Sequence, residues 1–158
     1  MIVSFDLDDT LFVSDDKFEI EPKLQFPLNL FYKETLRKGT VELIKKLRGD
    51  KVSVWVYTTS YRSEKYISRL FRCYGIKFDN IINGQRHYNE IQAGKSEPMP
   101  SKYPGKYRID LHIDDDKSVA ENGKVYGYKV FLIGEQDELW TEKIIAEIER
   151  IRKTKYKE

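Results

Sequence analysis

Three short β-prone runs in this sequence end in the same way, in a cluster of acids or hydroxyls. Ile2-Val3-Ser4-Phe5 leads into Asp6-Leu7-Asp8-Asp9-Thr10. Val52-Ser53-Val54-Trp55-Val56-Tyr57 leads into Thr58-Thr59-Ser60, and Arg108 to Ile113 leads into Asp114-Asp115-Asp116. Short apolar runs bounded by turn-type residues read as buried strands. Helical spacing separates them: Val41, Ile44 and Leu47 in one segment, and Ile67, Leu70, Phe71 and Tyr74 in the next. Strands alternating with helices predict an α/β chain with a mainly parallel sheet between two helical layers, a Rossmann-like three-layer αβα sandwich. In such sheets ligands bind at the carboxyl ends of the strands. All three polar clusters therefore converge on one edge.

The remaining elements fill in around these. Thr40 is the expected N-cap of the first helix, with Gly49 ending it. The run from Val52, rich in β-branched and aromatic residues, is expected at the centre of the sheet. Gly75 closes the second helix, and Phe78 to Ile82 is a weaker third strand. Residues 84 to 107 hold Pro98, Pro100, Pro104, Gly94 and Gly105 and read as loop. A short helix is expected from about Ser118, a fifth strand from Lys129 to Ile133, and a last helix from about Asp137. In that helix Leu139 or Trp140, with Ile144, Ile148 and Ile151, should face inward. Between the first strand and the first helix, Lys17-Phe18-Glu19-Ile20 alternates and predicts a short β-flap.

The chain has 158 residues and suits a single domain, 1–158, with a flap-like insertion at about 12–36. A formal net charge of +2 is too small to argue for nucleic acid as a partner. Cys73, the single cysteine, permits no internal disulfide and is expected buried. No run is long enough to span a membrane. The N-terminus lacks the basic region and cleavage site of a signal peptide, so a cytoplasmic location is expected.

The acids carry the chemical signal. Like charges at short range raise one another's pKa unless a cation or hydrogen bond intervenes. Asp6, Asp8 and Asp9 at the mouth of a buried strand therefore ask for something positive. The rest of the sequence offers less. His87 and His112 form no metal set, and His112 reads as packing or surface. Gly94-Lys95-Ser96 lacks the glycine spacing of a phosphate-binding loop. Arg150 to Lys157 reads as a solvated helix end. Ser60 reads as a helix cap.

Phe5-Asp6-Leu7-Asp8-Asp9-Thr10-Leu11 resembles motif I of the haloacid dehalogenase (HAD) superfamily, Asp-x-Asp-x-Thr after a hydrophobic strand. Val54 to Thr58 resembles motif II, Lys102 in Ser101-Lys102-Tyr103-Pro104 resembles the motif III lysine, and Ile113-Asp114-Asp115 resembles motif IV. The motifs stand in the family's order and cover nearly the whole chain. The resemblance implies a Mg²⁺-dependent phosphatase acting on a phosphate monoester through an aspartyl-phosphate intermediate. Phosphotransferase or phosphomutase activity, or a non-catalytic phosphate-binding scaffold, are the alternatives.

The residue types fit that chemistry. Phosphoryl transfer is mainly positioning and charge neutralisation, and a carboxylate can be its nucleophile. Asp6 is the candidate. Mg²⁺ takes hard oxygen ligands; Asp6, Asp114 and, by resemblance, the backbone carbonyl of Asp8 would supply them. Also by resemblance, the Asp8 side chain is the general acid and then the base. An acid at this position points to a phosphatase or phosphomutase, since by resemblance dehalogenases lack one and ion-pumping ATPases carry Thr. Asp9, Thr10 and Asp115 are expected to support the loop. Thr58 or Thr59 would bind phosphate. Lys102 would neutralise nucleophile and phosphate, with Lys95, Lys106 and Lys117 as rivals. Arg62 is placed to select a charged substrate group. Neither inter-motif interval holds a full cap domain, so the chain resembles the capless type. By resemblance, such proteins take macromolecular phosphates, or small ones when a second subunit closes the site. Phe12, Phe18, Phe26, Leu28, Leu30 and Phe31 make the flap segment apolar, as a packed loop or as a homo-oligomer interface.

Overall fold

The computed structural model describes residues 1–155. Five strands form one sheet in the order β3-β2-β1-β4-β5, and every pair is parallel. They are β1 (Ile2–Phe5), β2 (Ser53–Tyr57), β3 (Asn80–Ile82), β4 (Leu111–Asp114) and β5 (Val130–Leu132). The helices are α1 (Thr40–Gly49), α2 (Glu64–Cys73), α3 (Gly84–His87), α4 (Lys117–Tyr126) and α5 (Trp140–Lys155). This is the α/β Rossmann-like arrangement expected from the alternating pattern. Val3 and Ser4, on opposite faces of β1, are both fully buried, as a strand covered by helices on both sides requires.

Several local expectations are corrected. The central strand is β1, with β2 beside it. β2 lies between β1 and the edge strand β3, and that interior position explains why its run is equally apolar. Gly39, at φ 88°, caps α1, and Thr40 is the first helical residue with its buried Oγ1 unpartnered. Only glycine adopts that φ cheaply, so the chain turns into α1 one residue early. Ser63, not Ser60, caps α2 by accepting from the Tyr66 amide. Residues 84–107 are not all loop. Asn83 caps α3 by accepting from the Arg86 amide, the helix widens into a π turn at Tyr88–Gln92, and Pro104–Tyr107 forms a 3₁₀ turn. Arg108 takes φ 55°, which delays β4 to Leu111. Leu139 is exposed, and Trp140, Ile144, Ile148 and Ile151 are the inward face of α5. Cys73 is half-buried. The basic α5 end expected as solvated is in part engaged, Arg152 with the Asp50 carbonyl and Lys155 with Asp110; residues 156 and 157 lie outside the described residues.

The segment before α1 makes only isolated bridges, Phe12 with Leu36 and Ile20 with Arg37, rather than the expected β-flap. Arg37 anchors it. The guanidinium lies 5.0 Å over both the Phe18 and Trp140 rings, and its Nη2 donates to the carbonyls of Gly134, Glu135 and Asp137. Beyond this clasp, Phe26, Leu28, Leu30 and Phe31 are exposed.

Register sets the site. Phe5 pairs with Val56 on one side and Ile113 on the other. One step further, Asp6 emerges beside Asp114, with Tyr57 and Thr58 level on the opposite flank. The fully buried Phe5 and Leu7 flank Asp6. Each contributes roughly 2 kcal/mol by burial, which offsets the cost of drawing the carboxylate into the edge of the core.

Candidate active site

Asp6 and Asp114 are both buried, and one lysine joins them. Lys102 Nζ donates to Asp114 Oδ2 at 2.6 Å and lies 2.8 Å from Asp6 Oδ1. The Asp6 contact is an ion pair, and it is the one positive charge that faces the buried Oδ1 among the described residues. Lys102 is 3% exposed, whereas the rival Lys95, Lys106 and Lys117 are on the surface. Burial alone would lower the lysine's pKa, but the charges of Asp6 and Asp114 outweigh it and raise it.

The two carboxylates part company. Burial, with Asp114 close by, raises Asp6 to about 6 against the pull of Lys102. Burial also opposes ionisation of Asp114, but the His112 hydrogen bond and the Lys102 charge hold it at about 2. Asp114 is the stably ionised partner, and Asp6 is the carboxylate whose charge is under-compensated.

His112 is the residue that sequence reading missed. Packing was one of its expected roles, but it is also wired into the site. Nε2 lies 2.8 Å from Asp114 Oδ2 and Nδ1 2.8 Å from Ser4 Oγ. Burial lowers its pKa despite the Asp114 bond, so the ring is neutral. The Ser4 hydroxyl then donates to Nδ1, and Nε2–H donates to Asp114. The available signal was two-residue spacing: His112 and Asp114 share one face of β4.

Lys102 arrives on a loop, and two tyrosines hold that loop. Tyr128 Oη lies 3.1 Å from the Lys102 carbonyl. Tyr57 Oη accepts from the Tyr103 amide at 2.8 Å and touches His87 Nδ1 at 2.6 Å.

Around Asp6 the chain folds back, with the Leu7 carbonyl accepting from the amides of Thr10, Leu11 and Phe12. Asp9 is exposed at φ 58°, its amide bonded to the Phe12 carbonyl. Thr10 is buried and donates to Asp115 Oδ1 at 3.0 Å. Asp8 points outward, with both oxygens 3.0 Å from Arg62 Nη1. Thr58 is 1% exposed, and its Oγ1 accepts from the Ser60 amide at 3.1 Å; Thr59 is exposed. Ser60 Oγ is spent on Arg62, accepting from its amide and Nη1. Gly84 lets this turn close. A Cβ there would stand 2.4 Å from the Thr59 carbonyl.

Oxygens of Asp6, Asp114 and Asp115 lie within 4.8 Å of one another. Asp115 thus joins the carboxylate group, whereas its expected role was support. The Asp8 side chain stands apart. Burial and the Asp114 charge raise Asp115 against the Thr10 bond. Three crowded carboxylates, one with a buried oxygen held only by the Lys102 ion pair, fit a hard divalent cation such as Mg²⁺.

No family model matches this sequence, and no curated protein matches it. Solved structures do. A HAD-superfamily hydrolase of subfamily IA from Geobacter sulfurreducens shares 17% identity over 83% of this chain and 88% of its own, with a TM-score of 0.53. The D,D-heptose 1.7-bisphosphate phosphatase from B. bronchiseptica, complexed with magnesium and phosphate, shares 15% over 92% of this chain and 98% of its own, with a TM-score of 0.51. The HAD domain of a Legionella pneumophila effector protein shares 16% over 99% of this chain and 98% of its own, with a TM-score of 0.53. The likeness is one of fold, the α/β Rossmann-like fold that these HAD structures share with this chain.

Proposed function

We propose that this chain is a HAD-type phosphatase that hydrolyses a phosphate monoester with Mg²⁺, through an aspartyl-phosphate on Asp6. One observation carries the reading: a buried, under-compensated Asp6 shares one buried lysine with Asp114 at the carboxyl edge of the central strands. Asp6 attacks phosphorus, forming an O–P bond as the ester P–O bond breaks. Asp8 gives its proton to the leaving oxygen. Water then attacks the acyl phosphate, Asp8 takes back a proton, and inorganic phosphate and free Asp6 result. Lys102 and the Thr58 hydroxyl face the phosphate oxygens in this scheme. Asp6, Asp114 and the Asp8 carbonyl would hold Mg²⁺, with Asp115 beside them. When bound, it neutralises the charge between nucleophile and phosphate.

We further propose one domain over 1–158, with 12–36 as a flap rather than a cap. The B. bronchiseptica phosphatase, which holds magnesium and phosphate on this fold, supports the reading. The test is turnover of p-nitrophenyl phosphate with Mg²⁺ and with chelator. Asp6→Asn should abolish it while the far-ultraviolet circular dichroism stays native. Turnover near the wild-type level in Asp6→Asn would sink the nucleophile assignment.

A further inference from the structure

Arg62, which the sequence suggests as a selector of charged substrate groups, is already engaged. Nη1 donates to both Asp8 oxygens at 3.0 Å and to Ser60 Oγ at 2.8 Å. Nε donates to Glu34 Oε1 at 3.0 Å. The guanidinium lies 5.4 Å over the Phe12 ring, and the Arg62 carbonyl accepts from Asn83 Nδ2 at 3.0 Å. Two carboxylates on one cation already overbalance it. A third anion gains little here, which argues against selection of a charged substrate group.

Asp8 is in the opposite position. Its side chain is 52% exposed and has no partner other than Arg62 among the described residues. A short carboxylate with water on one side and a single partner takes its direction from that partner. The partner itself is fixed from several sides. Glu34 accepts from Tyr66 Oη at 2.6 Å. Three segments therefore meet on one guanidinium: the β1 loop through Asp8, the β2 loop through Ser60, and the segment before α1 through Glu34.

We propose that Arg62 is a positioning residue for Asp8, aiming this carboxylate at the leaving oxygen of the substrate. The inference rests on the phosphatase reading given above. A carboxylic acid offers one acceptor oxygen and one O–H. Both oxygens now lie 3.0 Å from Nη1, so on protonation one oxygen keeps the guanidinium as its donor while the other carries the O–H that the leaving oxygen receives. Partly exposed ion pairs add little stability, so the effect belongs in the rate.

The test compares two esters with Mg²⁺: glycerol 1-phosphate, whose alkoxide must be protonated to leave, and p-nitrophenyl phosphate, whose phenolate leaves readily without a proton. Asp8→Asn comes first and should slow the alkyl ester far more than the aryl ester. No turnover of either ester by the wild type overturns the phosphatase reading and this inference with it. Wild-type turnover with equal slowing in Asp8→Asn leaves that reading standing and overturns this inference, because Asp8 is then not the acid. Given the expected Asp8→Asn result, Arg62→Ala should lower kcat for the alkyl ester about 100-fold and for the aryl ester less than about 5-fold, with KM nearly constant. The ratio of the two rates does not depend on how much of the preparation is folded. Arg62→Lys keeps the charge without the fork and should fall between wild type and Arg62→Ala. Adding Arg62→Ala to Asp8→Asn should change the ratio no further. Equal loss on both esters in Arg62→Ala, losses that multiply in the double variant, or a rise in KM in place of a fall in kcat each overturn the proposal.

Discussion

His112 Nε2 lies 2.8 Å from Asp114 Oδ2, with both side chains fully buried. The neutral ring donates to a carboxylate that must stay charged. In His112→Phe the ring shape remains and the donor goes, which also orphans Ser4 Oγ. A buried acceptor without its donor costs about 1–3 kcal/mol. The sign of the pH dependence follows from Asp114. Its pKa is about 2 in the folded protein, against 3.8 as the ordinary value. The stability it contributes is full above the ordinary value and is lost as pH falls through about 2. Below the ordinary histidine value of 6.5 the buried neutral ring also costs stability, so urea unfolding of wild type and His112→Phe should differ most above about pH 6.5, with the gap closing in acid. A gap that stays constant with pH would mean that the histidine only fills space.

What was legible in the sequence was whatever a strand end alone can write. Asp6, Thr58 and Asp114 each follow a β-prone run directly, so a parallel sheet had to bring them to one edge. Lys102 was legible only through its motif, since a loop lysine looks like any surface lysine until two tyrosines hold its main chain. His112 was hidden because a histidine within a strand says nothing of its partners, and Ser4 lies 108 residues away. The place of Asp115 among the carboxylates was not legible, because it follows the last residue of β4, where the strand alternation that fixes a side chain's face ends. Arg62 was legible as near the site but not in its role. That role depends on Glu34, from a segment whose own pattern predicts β structure it does not form.

Lys102 is the cation that lets two buried acids coexist. In Lys102→Met the stem is roughly kept and the charge is lost. Removing one partner of a buried ion pair typically costs about 3–5 kcal/mol. Here the loss falls on the metal-free protein. Mg²⁺ should restore part of it, because a bound cation replaces the missing charge and stabilises by mass action. Thermal unfolding with and without Mg²⁺ checks this. The variant should show a larger Mg²⁺-induced rise in Tm than the wild type, with phosphatase turnover still lost. An unchanged rise would show that the metal and the lysine do not share a charge environment.

Asp6 has the opposite sign from Asp114. Its pKa rises from 3.8 to about 6 on folding. The protonated form fits the folded state, so this contribution is full below the unfolded value and is lost as pH rises through about 6. Asp6→Asn should therefore stabilise the metal-free protein at pH 8, by about 1–3 kcal/mol, and give no gain at pH 4. Metal binding should require the ionised group, so wild-type Mg²⁺ affinity should fall as pH drops below about 6, as calorimetry would report. Destabilisation of the metal-free protein by Asp6→Asn at pH 8 would mean that Lys102 fully compensates Asp6.

Two glycines give a matched pair for the phosphate side of the site. A Cβ on Gly84 would stand 2.4 Å from the Thr59 carbonyl and 2.9 Å from the Tyr61 ring. The carbonyl is backbone and cannot swing away, so the turn from Thr58 to Ser60 must shift. The Gly84 amide bond to the Ser60 carbonyl, at 2.8 Å, would strain with it. Gly84→Ala should cost about 1–3 kcal/mol and raise KM for p-nitrophenyl phosphate several-fold, because Thr58 moves with the turn. Gly49, at the end of α1, has nothing within 4 Å of its would-be Cβ. Gly49→Ala should leave kinetics unchanged and stabilise by about 0.5–1 kcal/mol through helix propensity and a less disordered unfolded chain. Thermal unfolding and steady-state kinetics on the two variants separate the effects. If Gly84→Ala loses stability yet keeps its KM, the Thr58 turn does not contact the substrate phosphate.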